Sequence, residues 1–253
     1  MRSLLIAATA AGFLAGSISY GTAGVIDLPR TTGVEQSVRV SDLENRGDLA
    51  RAHKDFRRAA EFYRSALRLD PRNAAIFNKL GISELRDGDL RSAKTDFQKA
   101  AKLNPKDPRA LNNLGALACL QKKYKPATKY LKEALALDET DATFHVNLGE
   151  AWVGLGKIDR AMTEYARALE LDGDIFSNNA NEGISAQLRT PEQRARVSYL
   201  IAKAYAKRGN LDGALEYLRR AKEDRYPELA NVYQDTEFAS LWQDPRLNKL
   251  VPR

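Results

Sequence analysis

The stretch LNNLGALACL, residues 111–120, places Gly115 inside an otherwise apolar and helical run. A glycine in a helix interior costs about 1 kcal/mol relative to alanine, so the position needs a compensating gain. The same Leu-Gly pair stands 34 residues earlier, at Leu80-Gly81, and 34 residues later, at Leu148-Gly149. A fixed period of this length indicates a structural repeat. We expect the missing side chain of each glycine to make room for a partner helix.

Other positions repeat with the same period when each unit is numbered so that Leu-Gly occupies positions 7 and 8. Position 24 is aromatic or leucine, and position 17 is always large and apolar. Alanine fills position 27 in five units and also position 20, at Ala59, Ala93, Ala127, Ala161 and Ala214. This set resembles the tetratricopeptide repeat over residues 40–228. The resemblance implies an all-α fold, a right-handed α-solenoid of about five helical hairpins.

The period divides the chain into units. The repeats are expected at 40–73, 74–107, 108–141, 142–175 and 195–228, with a loop insertion at 176–194. The insertion separates the fourth unit from the fifth, whose helix restarts at Thr190-Pro191 with capping-box residues. Residues 229–253 resemble the C-terminal helical cap of bacterial repeat proteins of this type, with Trp242 in its core.

The first 23 residues differ in kind from the rest. One positive charge, Arg2, precedes an apolar run that is too short for a comfortable membrane span, which is the layout of a secretory signal peptide. Ser17 stands where a lipoprotein would carry its lipid-bearing cysteine. The sequence therefore predicts an exported protein, periplasmic or secreted, with a linker at 24–39. The alternative is an inner-membrane anchor formed by residues 4–19.

The net charge of +7 comes from 40 basic and 33 acidic residues that alternate along the chain. Alternation of this kind is typical of solvated helix faces. No compact basic block with interleaved aromatic residues appears, so nucleic acid is not expected as a partner. The charge permits a mild attraction to acidic proteins or anionic lipid.

No sequence motif for catalysis or for nucleotide binding is present. The single cysteine, Cys119, cannot form an intrachain disulfide, and His53 and His145 lie 92 positions apart. A structural role is the favoured interpretation for each. We expect no catalytic residues, no metal site and no cofactor.

The resemblance also implies a concave groove lined by the first helix of each repeat, which receives a peptide. The side chains expected in this groove are Asn78, Lys79, Arg86, Arg109, Asn112, Asn113, Asn147, Glu150, Arg196, Tyr199 and Lys203. An amide carries both a donor and an acceptor, so an asparagine ladder could hold a peptide backbone. The other interpretation is that these amides only satisfy neighbouring groups.

The expected function is a non-enzymatic scaffold that binds a peptide or acidic protein surface, in cell-envelope assembly. The alternatives are a self-assembling oligomer and an accessory subunit of an envelope enzyme or of a secretion or pilus system. The expected partner is a protein or peptide. A membrane is expected as a partner only if the N-terminal segment is uncleaved.

Overall fold

A computed structural model describes residues 33–176 and 191–253, and over these ranges the chain forms five helical hairpins followed by short helices. The hairpins are α1 Gly33–Ala52 with α2 Phe56–Leu69, α3 Ala74–Arg86 with α4 Leu90–Leu103, α5 Pro108–Leu120 with α6 Tyr124–Leu137, α7 Ala142–Gly154 with α8 Ile158–Leu171, and α9 Pro191–Lys207 with α10 Leu211–Glu223. Two 3-10 helices, Leu229–Tyr233 and Thr236–Leu241, and a final helix, α11 Pro245–Leu250, follow. The all-α hairpin solenoid expected from the sequence is confirmed.

Each of the first four hairpins closes over a glycine of its first helix. A Cβ atom added at Gly149 would lie 2.5 Å from the ring of Tyr165, and one at Gly115 would overlap the side chain of Leu131. Tyr165 and Leu131 are fully buried. The equivalent pairs are Gly47 with Tyr63 and Gly81 with Phe97. The glycine therefore admits the large side chain at position 24, and this burial offsets its low helix propensity.

The turn inside each hairpin has one residue in the left-handed region. This residue is always at position 15, and it is Lys54, Gly88, Lys122, Gly156 or Gly209 in successive hairpins. Glycine adopts this conformation without steric cost, whereas lysine does not. The shared geometry shows that the five turns follow one design even where the residue type differs.

Each hairpin stacks on the next mainly through its second helix, which packs on the first helix that follows it. Helix α5 packs on both α3 and α7, while the second helices of successive hairpins make little contact. The first helices therefore form the inner wall of the solenoid and the second helices form its outer face. Among the described residues, no helix has the length and apolar character that crossing a bilayer requires.

The structure corrects two expected boundaries. Helix α1 begins at Gly33, so residues 33–39 of the predicted 24–39 linker are helical. At the insertion, Phe176 is buried in the core, and residues 191–194 form the first turn of α9 rather than loop. The remainder of the insertion, the rest of the linker and the predicted signal peptide lie outside the described residues.

The chain after α10 covers the end of the solenoid. Val232, Phe238, Leu241 and Leu247 are fully buried there. Trp242 is half-buried, and its indole Nε1 donates to the carbonyl of Val232 at 2.9 Å. The residues from 229 onward thus act as a terminal cap, which solenoids need because the last repeat has no neighbour.

Candidate functional site

The asparagines of the inner wall pair with one another between hairpins. Asn113 donates from Nδ2 to Oδ1 of Asn78 at 2.8 Å, and Asn147 donates to Asn112 at the same distance. All four side chains are buried. In each pair, position 6 of one repeat binds position 5 of the preceding repeat. These amides therefore hold adjacent first helices in register, because a buried amide left unpaired would cost free energy.

Lys79 makes the equivalent link between the first two hairpins. Its ammonium lies 2.7 Å from Glu44 and 2.6 Å from Asp48, both on α1. Burial alone would lower the pKa of Lys79, but the hydrogen bonds to Asp48 and Glu44 outweigh it and raise the pKa. The sequence analysis predicted that Lys79 lines the groove, but it did not predict that Glu44 and Asp48 bind its ammonium group. The acidic residues were overlooked because α1 lacks the Leu-Gly pair, although their i, i+4 spacing puts both on one helix face.

At the other end of the inner wall, Lys203 and Tyr199 bind the cap. The ammonium of Lys203 lies 3.2 Å from both Asp235 and Glu237. Tyr199 is buried, donates its hydroxyl to Asp235 at 2.7 Å and stacks on Tyr226 at 4.6 Å between ring centroids. These two predicted groove residues join the fifth hairpin to the cap.

The remaining predicted groove residues fall into two groups. Arg109 and Arg196 are exposed, and Arg109 also forms a two-bond ion pair with Asp107, the N-cap residue of α5. Glu150 is buried in α7. Of the eleven predicted groove residues, all of which the structure describes, Arg109 and Arg196 are the two that are exposed.

Arg86 lies beside Arg51, a residue that the sequence analysis did not select. Burial and the neighbouring guanidinium of Arg51 together lower the pKa of Arg86. Arg51 reaches Asp48 at 3.4 Å, and its Nε has no hydrogen-bond partner among the described residues. Two half-buried guanidiniums held close together repel each other. The first two hairpins therefore bring two cationic side chains, Arg51 and Arg86, close together.

His145 is engaged within the protein on both ring nitrogens. Nδ1 lies 2.7 Å from a carboxylate oxygen of Glu164, and Nε2 lies 3.2 Å from the carbonyl oxygen of Glu139. Burial alone would lower the pKa of His145, but the hydrogen bonds to these acceptors raise it. The imidazolium form satisfies both acceptors at once. This geometry supports a structural histidine.

A cleft of about 610 Å³ opens beside this histidine, between the fourth and fifth hairpins. Its charged walls carry both signs, from Arg167, Glu170, Lys207 and Glu237 among others. Across the described ranges, no three metal-ligating side chains come together. His53 is exposed at a turn, and Cys119 is buried.

Comparison with known proteins agrees with this architecture. A family profile described as the cilia and flagella-associated protein 70 middle TPR-like domain matches residues 41–172. A second profile, described as tetratricopeptide repeat, matches residues 184–230. A search of curated proteins finds no match.

Solved structures resemble the chain at low sequence identity. PilF of Pseudomonas aeruginosa is 20% identical, with a TM-score of 0.57 over 86% of this chain and 94% of its own. A thermophilic TPR protein of Thermus thermophilus is 20% identical, with a TM-score of 0.53 over 79% and 97%. MamA of Desulfovibrio magneticus is 19% identical, with a TM-score of 0.51 over 73% and 94%. At these identities the likeness concerns the fold.

Proposed function

Since this chain belongs to the tetratricopeptide-repeat family, we propose that it is a non-enzymatic interaction scaffold whose inner wall binds an acidic segment of a partner protein. The observation that carries the proposal is the pair of guanidiniums at Arg51 and Arg86. Both are half-buried, Arg51 lies close enough to lower the pKa of Arg86, and Asp48 lies 3.4 Å from Arg51. A carboxylate placed between them would gain charge-assisted hydrogen bonds and relieve their repulsion.

Two other cations of the inner wall already have carboxylate partners within the protein. Lys79 is held by two carboxylates of α1, and Lys203 is held by two carboxylates of the cap. The buried asparagines bind one another. We therefore place anion recognition at Arg86 and Arg51, and the exposed Arg109 and Arg196 extend the positive surface of the inner wall.

The proposal also includes export to the cell envelope. Its support is the sequence of residues 1–23, with one arginine, an apolar run and small residues after it. A partner with an acidic, extended segment in the same compartment would meet the inner wall directly. The role of a scaffold is then to hold that segment while its other surfaces contact a second component.

A direct test uses a fluorescein-labelled hexaglutamate peptide and the full chain, measured by fluorescence anisotropy. We expect Arg86→Gln to weaken peptide binding about tenfold, since hydrogen bonds to charged groups contribute about 1.5 to 3 kcal/mol. Arg91→Gln is the matched control because it removes the same charge from the exposed outer face. Equal weakening by both variants would mean that net charge, and not the inner wall, binds the peptide.

A further inference from the structure

The outer face of the first three hairpins carries a charge imbalance that the outer helices of the fourth and fifth hairpins lack. Helices α2, α4 and α6 contain eleven basic residues against three acidic ones, whereas α8 and α10 contain five against six. The eleven are all exposed, and they are Arg57, Arg58, Arg64, Arg68, Arg91, Lys94, Lys99, Lys102, Lys125, Lys129 and Lys132. We call this surface the basic outer face. Basic and acidic residues alternate along the sequence, but in the folded chain the basic residues of α2, α4 and α6 lie together on one surface.

The three helices bury their apolar residues and leave their basic residues exposed. Ala93, Phe97 and Ala100 of α4 face the core, and the basic residues fill the opposite side. Of the three acidic residues, Asp96 is buried and bridged to Lys99 at 3.1 Å. The exposed side of these helices therefore has few carboxylates to neutralise its cations.

We propose that the basic outer face docks on an anionic phospholipid bilayer. A cluster of lysines and arginines gains about 1 kcal/mol per residue close to an anionic lipid surface, without needing a specific geometry. The face spans three helices and leaves its cations exposed, so a planar array of headgroup phosphates can meet many of them together. This contact is separate from the inner wall and does not require the N-terminal segment.

A protein partner fits this face less well. Stable protein interfaces centre on apolar or aromatic anchors and are depleted in lysine. Among the described residues, the exposed large apolar side chains are Val34, Val38, Leu49 and Leu137, and of these only Leu137 lies on an outer helix. The basic outer face lacks an apolar centre.

Single-stranded nucleic acid also fits less well, because its binding needs exposed aromatic rings on which bases stack. Two aromatic rings near this face lie under cations. Arg58 lies over Phe62 at 5.8 Å, and Lys99 lies over Phe77 at 5.0 Å.

Flotation of the full chain with vesicles tests the proposal, using phosphatidylcholine alone and a two-to-one mixture with phosphatidylglycerol. A patch variant removes four cations of the basic outer face, by Arg91→Gln, Lys94→Gln, Lys125→Gln and Lys129→Gln. A control variant removes four exposed cations elsewhere, by Lys157→Gln, Lys207→Gln, Arg208→Gln and Lys249→Gln. Both variants keep the N-terminal segment and have the same net charge. Circular dichroism checks that both variants fold. If the fourfold patch variant does not fold, the double variant Lys125→Gln, Lys129→Gln is tested in its place.

We expect the mixed vesicles to bind the native chain, with binding lowered at least about tenfold by the patch variant and much less by the control variant. Binding should also fall with added salt. An equal loss in both variants would overturn the proposal, since net charge would then suffice. Unchanged vesicle binding in the patch variant would also overturn it. The same variants are also tested for binding to a DNA duplex. If the patch variant loses DNA binding but keeps vesicle binding, the basic outer face binds nucleic acid instead of lipid.

The result of the vesicle experiment does not depend on whether the inner wall binds an acidic peptide. Arg86→Gln should leave vesicle binding unchanged, because Arg86 lies on α3 and not on the outer helices. The patch variant should leave most of the hexaglutamate affinity in place. Failure of one proposal therefore does not imply failure of the other.

Discussion

Replacing Gly115 with leucine will destabilise the chain by about 3 kcal/mol or more, with a clear drop in melting temperature. A Cβ atom at this position already overlaps Leu131, whose side chain is fully buried between the two helices of the third hairpin. The larger leucine must push the hairpin open. Because each hairpin of a solenoid depends on its neighbours, we expect the loss to spread to the second and fourth hairpins.

Two further variants make this result specific. Gly173→Leu is the control, because nothing lies within 4 Å of a Cβ atom there, and its effect should stay within about 0.5 kcal/mol. Adding Leu131→Ala to Gly115→Leu should recover part of the loss by restoring space. Thermal unfolding by circular dichroism measures all three. A melting temperature unchanged by Gly115→Leu would contradict the close packing on which every hairpin is built.

Replacing Glu84 with glutamine will stabilise the chain at alkaline pH and leave it nearly unchanged at pH 5. Glu84 is buried in α3, where burial and the nearby Asp96 raise its pKa to about 7 from the ordinary value of 4.5, against the opposing bridge from Arg64 at 2.8 Å. The native state keeps the proton over this interval while the unfolded state loses it. Stability therefore falls as pH rises from about 4.5 to about 7.

A glutamine at position 84 can still form hydrogen bonds, and because it is neutral it avoids the free-energy cost of a buried carboxylate. We expect a gain on the order of 2 kcal/mol at pH 8. Urea unfolding at pH 5 and pH 8 measures the difference, with the exposed Glu61→Gln as control. If the gain from Glu84→Gln is the same at both pH values, the carboxyl of Glu84 does not titrate in this interval.

The sequence predicted the hairpins because their signal is local and repeated. Gly115 and Leu131 are 16 residues apart in one unit, and the same spacing recurs in the other units with a Leu-Gly or equivalent pair. It did not predict the start of α1. Residues 33–39 show no apolar period, and the helix there gains a tertiary contact instead, from Gln36 to the carbonyl of Leu69 at 2.5 Å.

The sequence predicted which residues line the inner wall, but not the hydrogen bonds that these residues form with one another. Asn113 and Asn78 were both selected, yet their pairing depends on how far one hairpin slides over the next, which periodicity does not specify. Arg51 was missed for the same reason, since its proximity to Arg86 follows only from the stacking of α1 on the second hairpin. The basic outer face was hidden by the alternation of charge, because an acidic residue next to a lysine in sequence can be buried by the fold, as Asp96 is.

Photo-crosslinking in the native host tests the central claim that the inner wall is the protein-binding surface. The probe belongs at Arg109, which is exposed on the inner helix of the third hairpin, and the control belongs at Lys129, exposed on the outer helix of the same hairpin. The account predicts a discrete protein adduct from position 109 and none from position 129. Adducts at position 129 alone, or equal adducts at both, would contradict it.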